Sequence, residues 1–340
     1  MDSIIPMHAS PPGIPPAGGS GPRPRFSVMV PTCEPDDKLC RTLASVLDQA
    51  PPGDTMQIAV VDDASAPGVV HRLVRSVDHE GRVEIVTNDR RLGLSGNWNR
   101  AIALARGELV HLLHQDDFVH PGFYAQLGSG FDRAAGIGMA FCRCRIVDAD
   151  ERLVKMTSRQ RWLPGVLSNW LPTIAERQRI QTPAAIVARS TYETVGGYRG
   201  DLCHALDWEM WVRIAARYDV WYEPRPLAAY RRHVANETTR LAASGEVWPD
   251  MARAIRIIAR SLPASLRDRS VAASVRWHVA SAMRTAERQL EAGAAAAAAD
   301  TLRTVPVILD LVEGEALDIA ASRRLSVLHA RLDHRRRRAA

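Results

Sequence analysis

The sequence lacks several features that would place it in common classes of protein. No apolar run approaches the length of a transmembrane helix, and none of the five cysteines forms a CxxC pair. The first predicted strand leads into Pro-Thr-Cys-Glu-Pro instead of G-x-G-x-x-G, and no Walker A sequence is present. These absences argue against a membrane-spanning protein, a disulfide scaffold, a zinc site, a Rossmann dinucleotide site and a P-loop.

The composition indicates a basic globular protein with an unstructured start. The chain has 340 residues and a formal net charge of +6, which suits an anionic ligand or a membrane surface. Residues 1–25 are rich in Pro, Gly and Ser, which predicts a disordered leader. This stretch has neither the basic region nor the apolar core of a secretory signal, so we expect a cytoplasmic protein.

Strand and helix patterns alternate through the first third of the chain. Short apolar runs predict strands at 26–30, 56–61, 83–87 and 109–113, and helical spacing appears between them. Strands that alternate with helices and short connections imply right-handed crossovers and a parallel sheet. The sequence therefore predicts an α/β fold with a doubly wound, mainly parallel sheet.

Two of the predicted strands end in paired carboxylates. Asp62 and Asp63 follow the second strand, and Asp116 and Asp117 follow the fourth. Because the carboxyl ends of parallel strands meet at one edge of a sheet, both pairs should lie where open α/β sheets bind ligands. Hard oxygen ligands there can hold Mg²⁺ or Mn²⁺. A turn with a helix cap is the alternative for each pair.

A set of short motifs occurs in order between residues 26 and 236. Besides Asn88, they are Val30-Pro31-Thr32, Val61-Asp62-Asp63-Ala64-Ser65, Leu92-Gly93-Leu94-Ser95-Gly96-Asn97-Trp98-Asn99, Ala105-Arg106-Gly107-Glu108, His114-Gln115-Asp116-Asp117, Gly196-Gly197-Tyr198, Ala205-Leu206-Asp207-Trp208-Glu209-Met210-Trp211-Val212-Arg213 and Tyr230-Arg231-Arg232-His233. Together they resemble the family 2 glycosyltransferases. The resemblance implies the GT-A fold, here over 26–240, and inverting transfer from a nucleotide-diphosphate sugar to an acceptor hydroxyl in glycan or cell-surface polysaccharide synthesis.

The resemblance also implies a donor site and a metal site. The metal falls first on Asp116, then on Asp117, with His233 able to assist the metal or the diphosphate. A solvent-exposed loop histidine is the alternative for His233, and the neighbouring Arg231 and Arg232 could bind phosphate or be surface charge. The residues expected to bind the donor are Pro31, Thr32, Glu34, Asp62, Asp63, Asn88, Gly93, Asn97, Asn99, Gln115 and Asp116.

By the same resemblance, Asp207 is the catalytic base that deprotonates the acceptor hydroxyl. A helix N-cap is the alternative role for this residue. The acceptor should meet Arg161, Trp162 and Trp208, since an aromatic face can stack on a sugar ring. The acceptor could be a saccharide, a lipid-linked saccharide or a small molecule.

Three positions depart from the family pattern and keep rival functions open. His114 replaces the first Asp of the usual Asp-x-Asp-Asp, Cys33 replaces an aromatic residue, and Leu206 replaces an acid. One rival is a nucleotidyltransferase, which would not need a base at Asp207. The other is a catalytically inactive module that binds a sugar or a partner.

The composition after residue 246 shifts to Ala, Arg, Leu and Val, which predicts a helical appendage over 246–340. Helical patterns cover 251–260, 271–292, 293–303 and 316–335. The closing run from His334 to Arg338 could touch anionic lipid head groups at the inner face of the membrane, with a solvated tail as the alternative. We expect no nucleic-acid partner.

Overall fold

The computed structural model describes residues 10–18, 21–53, 55–233, 240–241, 246–312 and 319–339. The chain divides into two compact units, one made of residues 1–170 and 179–233 and the other of 171–178 and 234–340. Among the described residues, no helix is both long enough and apolar enough to cross a membrane.

The first unit is built on a mixed sheet of ten described strands. In chain order they are β1 (Phe26–Thr32), β2 (Met56–Asp62), β3 (Val83–Thr87), β4 (Leu109–Leu112), β5 (Phe118–Val119), β6 (Ile137–Val147), β7 (Leu153–Met156), β8 (Gly165–Val166), β9 (Ala185–Ala188) and β10 (Asp219–Arg231). The sheet order is β3-β2-β1-β4-β9-β6-β10-β5, with β7 on β6 and β8 on β10.

The helices of this unit connect successive strands along the chain. They are α1 (Lys38–Leu47), α2 (Val69–Arg75), α3 (Gly93–Leu104), α4 (Phe123–Arg133), α6 (Arg189–Val195) and α7 (Leu206–Ala215), and a 3-10 turn spans Thr182–Ala184. Strands β1, β2 and β4 are buried along their length, as expected for strands covered on both faces.

The four-strand half β3-β2-β1-β4 is parallel, as the alternating pattern predicts, and the predicted α/β class with a mainly parallel sheet in this half is confirmed. The other half is mixed, because β9 runs antiparallel to both β4 and β6 while β10 runs parallel to β6. Gly107 shows how tightly the elements approach: a Cβ there would lie 2.5 Å from the main-chain nitrogen of Ser27. This position therefore requires glycine.

The described part of the leader packs against the first unit, which corrects the prediction of disorder for residues 10–18 and 21–25. The carbonyl of Pro12 accepts the N–H of Gly197 at 2.7 Å, and Arg189 donates to the carbonyl of Pro15 at 2.9 Å. Ile14 is buried. These bonds offset the ordering entropy that the Pro-rich composition alone would leave uncompensated. Residues 1–9 and 19–20 lie outside the described chain.

The second unit is helical. Its long helices are α8 (Val247–Ser261), α9 (Ala264–Glu291), α10 (Ala295–Leu309) and α11 (Ile319–Ala339), each longer than its predicted range. Their buried faces carry residues such as Ile255, Val275 and Leu302, which supply the apolar stripes behind the prediction. Most of α5 (Trp170–Glu176) joins this unit, although the sequence placed it in the catalytic region. The prediction of a basic tail concerns residues whose side chains, from 336 on, lie outside the description.

A buried histidine lies at the centre of the sheet. His111 on β4 is fully buried, with Nε2 3.0 Å from the carbonyl of Pro183 and Nδ1 3.1 Å from the hydroxyl of Tyr124. Because a carbonyl only accepts, Nε2 carries the proton and Nδ1 accepts from the tyrosine. Burial lowers the pKa of His111 to about 3.

We predict that His111 makes folding pH-dependent. The unfolded chain binds a proton at His111 near pH 6.5 and the folded chain does not until about pH 3, so this contribution to stability is lost as pH falls through that window. Relative to His111→Asn, the wild type should lose about 2 kcal/mol of unfolding free energy between about pH 7.5 and pH 5. Urea titrations of both proteins measure it.

His71, an exposed histidine on α2, supplies the matched control. His71→Asn should follow the wild-type profile across the same pH range. A constant stability gap between wild type and His111→Asn would contradict the assignment of a buried neutral imidazole.

Candidate active site

The carboxyl ends of three parallel strands form one edge of the sheet. Thr32 at the end of β1 pairs with Asp62 at the end of β2, and Met29 pairs with Leu112 near the end of β4. The loops that follow the three strands therefore lie side by side. This edge carries both predicted carboxylate pairs.

Asp63 supports the start of α3. Its carboxylate accepts the main-chain N–H groups of Leu92 at 2.7 Å and Gly93 at 2.9 Å, and the side-chain amide of Asn88 at 2.9 Å. Gly93 has φ +75°, a conformation that favours glycine. Asp63, Asn88 and Gly93 were predicted to bind a donor. In the structure Asp63 and Asn88 are buried, and their contacts hold the loop before α3.

Asn97 ties this loop to the strand ends. Its amide donates to the carbonyls of Val61 at 3.0 Å and Thr32 at 3.3 Å, and its oxygen accepts from Asn88 at 3.0 Å. The side chain is buried with its hydrogen-bonding groups engaged. In the structure Asn97 supports the loop that follows β3, and its role in binding a donor stays a prediction.

The rim beside Asp62 is conformationally strained. The Asp62 carboxylate accepts the hydroxyl of Ser65, and the Ser65 oxygen accepts the N–H of Glu34 at 2.8 Å. Glu34 has φ +46° and Ala64 has φ +55°, although neither is glycine. Such backbone strain concentrates at functional sites. Glu34 is exposed and pairs with Arg91, so its carboxylate faces the open edge.

Gln115 joins the loops that follow β1 and β4. Its side chain accepts the N–H of Cys33 at 2.9 Å and donates to the Cys33 carbonyl at 3.2 Å, as a neighbouring strand would. Pro31 and Thr32 are buried within β1, whereas Cys33 is exposed. Gln115, one of the predicted donor residues, therefore contacts the main chain of Cys33 and fixes the position of that residue.

Asp116 and His233 meet at this edge from distant parts of the chain. Nε2 of His233, just after β10, lies 2.7 Å from Oδ2 of Asp116. The Asp116 side chain is 20% exposed, so its carboxylate remains within reach of solvent. The structure thus places together the two residues that the resemblance connects with a metal.

Asp117 faces inward instead. Its side chain is fully buried, and Oδ1 accepts the main-chain N–H of Arg231 at 2.8 Å. Oδ2 lies 3.2 Å from Nδ1 of His114 and has no hydrogen-bond partner of good geometry among the described residues. Burial and the charge of Asp116 raise the pKa of Asp117 to about 6.

His114, the departure from the family pattern, lies between the carboxylates. Its ring stacks on Trp98 with centroids 4.8 Å apart. Burial alone would lower its pKa, but the contact and charge of Asp117 and the charges of Asp116 and Asp207 outweigh burial and raise it. Candidate ligand atoms of His114, Asp116 and Asp117 lie within 4.8 Å of one another. The position of the missing acid is thus held by an imidazole that lies 3.2 Å from a buried carboxylate oxygen of Asp117.

Asp207 is the second residue of α7, whose N-cap is Ala205. Oδ1 accepts the N–H of Trp208 at 2.6 Å, and Oδ2 accepts the hydroxyl of Thr182 at 3.3 Å. The side chain is partly exposed. A carboxylate in the first turn is stabilised by the helix dipole. Asp207 is thus not the simple N-cap of the alternative interpretation.

A buried ion pair on α7 holds the Gly-Gly-Tyr loop. Arg213 contacts both carboxylate oxygens of Glu209 at 2.7 and 2.9 Å, and it donates to the carbonyls of Val195, Gly196 and Gly197. The i,i+4 spacing put the two residues on one helix face. The sequence motif contained both, but no role was assigned to either.

Asn99 binds the same loop from α3. Its oxygen accepts the N–H of Tyr198 at 2.7 Å, and its amide donates to the Tyr198 carbonyl at 2.8 Å. Both hydrogen-bonding groups of the Asn99 side chain are thus engaged with Tyr198, and donor contact by Asn99 stays a prediction. The Tyr198 ring packs edge-on against Trp98 with centroids 4.9 Å apart, so the loop supports the aromatic platform beneath His114.

The three predicted acceptor residues differ in exposure. Trp208 has no exposed surface, because α7 is buried on nearly every side, so in this structure its ring packs in the core and offers no face to an acceptor. Arg161 is half-buried and donates to the carbonyl of Val166 at 2.6 Å. Trp162 is 80% exposed and lies within 4.1 Å of the Arg159 guanidinium.

Thr42 and Arg231 also support this edge of the sheet. The Thr42 hydroxyl on α1 lies 2.9 Å from the Gln115 carbonyl and 2.7 Å from the Asp117 carbonyl. Arg231 donates to the Asp116 carbonyl at 2.9 Å and pairs with Glu151, so its guanidinium is engaged with the protein and is not plain surface charge. A polar residue on the buried face of α1 was the only indication for Thr42.

Comparison with known proteins identifies the chain's relatives. The family model described as Glycosyl transferase family 2 matches residues 27–188. An uncharacterized protein, MT1568, of Mycobacterium tuberculosis (strain CDC 1551 / Oshkosh) is 30% identical over 236 residues, which cover 65% of this chain and 72% of that protein. The succinoglycan biosynthesis protein ExoO of Rhizobium meliloti (strain 1021) is 34% identical over 122 residues, covering 36% of this chain and 34% of ExoO.

Solved structures share the fold. S. aureus TarS residues 1–349 in complex with UDP-GlcNAc superposes with a TM-score of 0.63 at 17% identity, covering 92% of this chain and 89% of that one. The mannosyltransferase PcManGT from Pyrobaculum calidifontis in complex with GDP-Man and Mn²⁺ gives a TM-score of 0.52 at 18% identity, covering 96% and 84%. At these identities the likeness shows the fold.

We predict that the Gly-Gly-Tyr loop does not tolerate a side chain at Gly197. A Cβ there would lie 2.3 Å from Oδ1 of Asn99 and would displace the Asn99–Tyr198 bonds. Gly197→Ala should lower the free energy of unfolding by about 1–3 kcal/mol. Gly200→Ala is the matched control, because its Cβ would meet only Ser95 at 3.6 Å. Equal urea midpoints for the two variants would contradict the role of this loop.

Proposed function

The chain belongs to glycosyl transferase family 2, and from this we propose that it transfers a sugar, with inversion, from a nucleotide-diphosphate sugar to an acceptor hydroxyl. The observation that carries the proposal is the convergence of Asp116, His233 and the His114–Asp117 pair at the carboxyl edge of the sheet, within electrostatic range of Asp207. A donor phosphate side and an acceptor base thus share one site.

The residues at this edge fit a divalent cation. Asp116 and Asp117 offer carboxylate oxygens, one of them buried without a hydrogen-bond partner, and His233 lies against Asp116. We assign the metal first to Asp116, with Asp117 and His233 as further candidates, and Mg²⁺ or Mn²⁺ as the ion. A bound ion of this kind would neutralise the charge that develops on the departing diphosphate. The PcManGT complex, which contains Mn²⁺, supports this assignment.

Donor recognition rests on the rim next to the metal residues. Asp62, with Ser65 hydrogen-bonded to it, and the exposed Glu34 offer carboxylates to the hydroxyl groups of a nucleoside. Gln115 sets the position of Cys33, whose small side chain leaves this rim without the aromatic surface usual in the family. The TarS complex supports a UDP-linked donor and the PcManGT complex supports a GDP-linked donor, so the nucleobase of the donor needs a direct test.

Asp207 acts as the base in this proposal. The acceptor oxygen attacks the anomeric carbon from the face opposite the leaving group, its proton passes to the Asp207 carboxylate, and the bond to the diphosphate breaks. Thr182 and the N–H of Trp208 orient the carboxylate, which lies in the first turn of α7, where the helix dipole favours negative charge. Leu206 is buried, so the acid that usually precedes the base is replaced by core packing.

We propose a role in glycan or surface-polysaccharide synthesis, on the strength of the likeness to ExoO over about a third of each chain. A saccharide, a lipid-linked saccharide and a small molecule remain the candidate acceptors, with Trp162 as the exposed acceptor-side aromatic. Contact of the basic tail with anionic head groups and a cytoplasmic location remain predictions.

We predict a metal-dependent nucleotide site. In a thermal-shift panel of UDP, GDP, dTDP and CDP, with and without Mn²⁺, one nucleotide should raise the melting temperature with metal, because a ligand of the folded state stabilises it by mass action. Asp116→Ala should remove this shift. Asp268→Ala, at an exposed position of α9, is the control and should retain it. No shift with any nucleotide would instead favour an inactive binding module.

We predict that Asp207→Asn separates binding from chemistry. The variant should show the wild-type thermal shift with the nucleotide, but donor turnover, followed as hydrolysis with water as acceptor, should fall by about 10²–10⁴-fold because the base is lost. Asp219→Asn, at the exposed start of β10, should behave as the wild type in both assays. Full activity of Asp207→Asn would point to a nucleotidyltransferase.

A further inference from the structure

One short stretch, residues 152–163, exposes an unusual amount of apolar surface. We call it the exposed segment; it consists of β7 and the loop that follows. Most of the large apolar side chains that are exposed in the described part of the chain lie in it, namely Leu153, Val154, Met156, Trp162 and Leu163. The others, Leu92, Val307 and Val327, are scattered along the chain. Apolar patches of this kind mark interaction surfaces.

The exposure follows from the fold. Strand β7 pairs only with β6 in the described sheet, and all four of its residues are exposed. Beyond β7, the N–H of Thr157 donates to the Cys144 carbonyl at 2.9 Å, and the N–H of Gln160 donates to the Tyr222 hydroxyl at 3.2 Å. The segment is therefore held in place with its apolar side chains outward.

Unpaired cations interleave with these apolar residues. Lys155, Arg159 and Arg161 have no carboxylate partner among the described residues, and the sequence contains no acid between 152 and 175. Arg152 differs, because it pairs with Asp150. The Arg159 guanidinium lies over the Trp162 ring, so an aromatic and a cation share one position at the end of the segment.

We propose that the exposed segment binds the surface of an anionic lipid bilayer. Trp162 and Leu163, at 80% and 70% exposure, would enter the boundary between head groups and acyl chains. Tryptophan is favoured at that depth because its ring is apolar and its N–H is polar. Lys155, Arg159 and Arg161 would meet anionic head groups, which attract each basic residue near the surface.

Other occupants fit less well. Pairing of β7 with β7 of a second copy would bring Lys155 near its own counterpart, and like charges close together across a strand pair are destabilising. A saccharide could stack on Trp162 but would leave Leu153, Val154 and Leu163 in water. The combination of apolar side chains and unpaired cations matches a membrane interface.

Vesicle co-sedimentation of the full chain tests this. The wild type should bind vesicles with about 30 mol% phosphatidylglycerol and should not bind pure phosphatidylcholine, and binding should weaken between about 0.1 M and about 0.5 M NaCl. Trp162→Ser with Leu163→Ser, and separately Lys155→Glu with Arg159→Glu, should each reduce partitioning by about tenfold or more. All four side chains are exposed, so circular dichroism should show an unchanged fold.

Two controls separate this surface from other routes to the membrane. Val307→Ser with Val327→Ser removes two exposed valines from the helical unit and should leave binding unchanged. Changing residues 335–338 to Glu tests the basic tail. This variant should bind anionic vesicles when the exposed segment is intact and should lose binding when the segment is also altered. The proposal is overturned if the wild type does not bind anionic vesicles, or if only the tail variant loses binding. It is also overturned if the only effect of the segment variants is to convert a dimer to a monomer.

Discussion

The buried carboxylate of Asp117 connects the two strand ends on which the site depends. It accepts the main-chain N–H of Arg231, 114 residues away, at 2.8 Å. Asp116 directly precedes Asp117, and His233 follows Arg231 by two residues. The same bond therefore brings Nε2 of His233 to 2.7 Å from Oδ2 of Asp116. Removing the acceptor would leave a buried N–H unpaired, at a cost of about 1–3 kcal/mol. The chain therefore keeps a desolvated carboxylate in its core, and His114 and the N–H of Arg231 moderate the electrostatic cost.

The sequence predicted the first half of the sheet well, because local periodicity and short connections determine a run of parallel strands. Strands β1 to β4 lie within two residues of their predicted ends. The second half depends on pairing between distant segments, which local patterns do not encode. Strand β10 is interrupted where Glu223 gives way to Pro224 and Pro226, since proline lacks the N–H that a ladder needs. The packed leader was missed for a related reason: its partners, Arg189 and Gly197, lie far along the chain.

The motifs predicted residues that the structure brings together at one edge of the sheet, but they did not distinguish side chains that face solvent from side chains that support the loops. Asp63, Asn97 and Asn99 belong to the same motifs as the exposed loop residues, yet their hydrogen bonds are made within the protein. Only the three-dimensional arrangement shows which polar groups are already satisfied. The same applies to Trp208, the aromatic residue next to Asp207, which is buried in the core. A sugar-binding role and a packing role require the same residue type, so composition cannot separate them.

The contacts of the leader have a consequence for how the protein is made. Pro12 bonds to Gly197, and the N–H of Ala17 bonds to the carboxylate of Glu193 across 176 residues. At typical synthesis rates, residue 12 leaves the ribosome roughly 10 to 40 s before its partner exists. Residues 12–17 are thus synthesised long before the residues they bond to and reach their native contacts late. Until then the Gly-Gly-Tyr loop, which supports the aromatic platform, lacks its hydrogen bond to the Pro12 carbonyl.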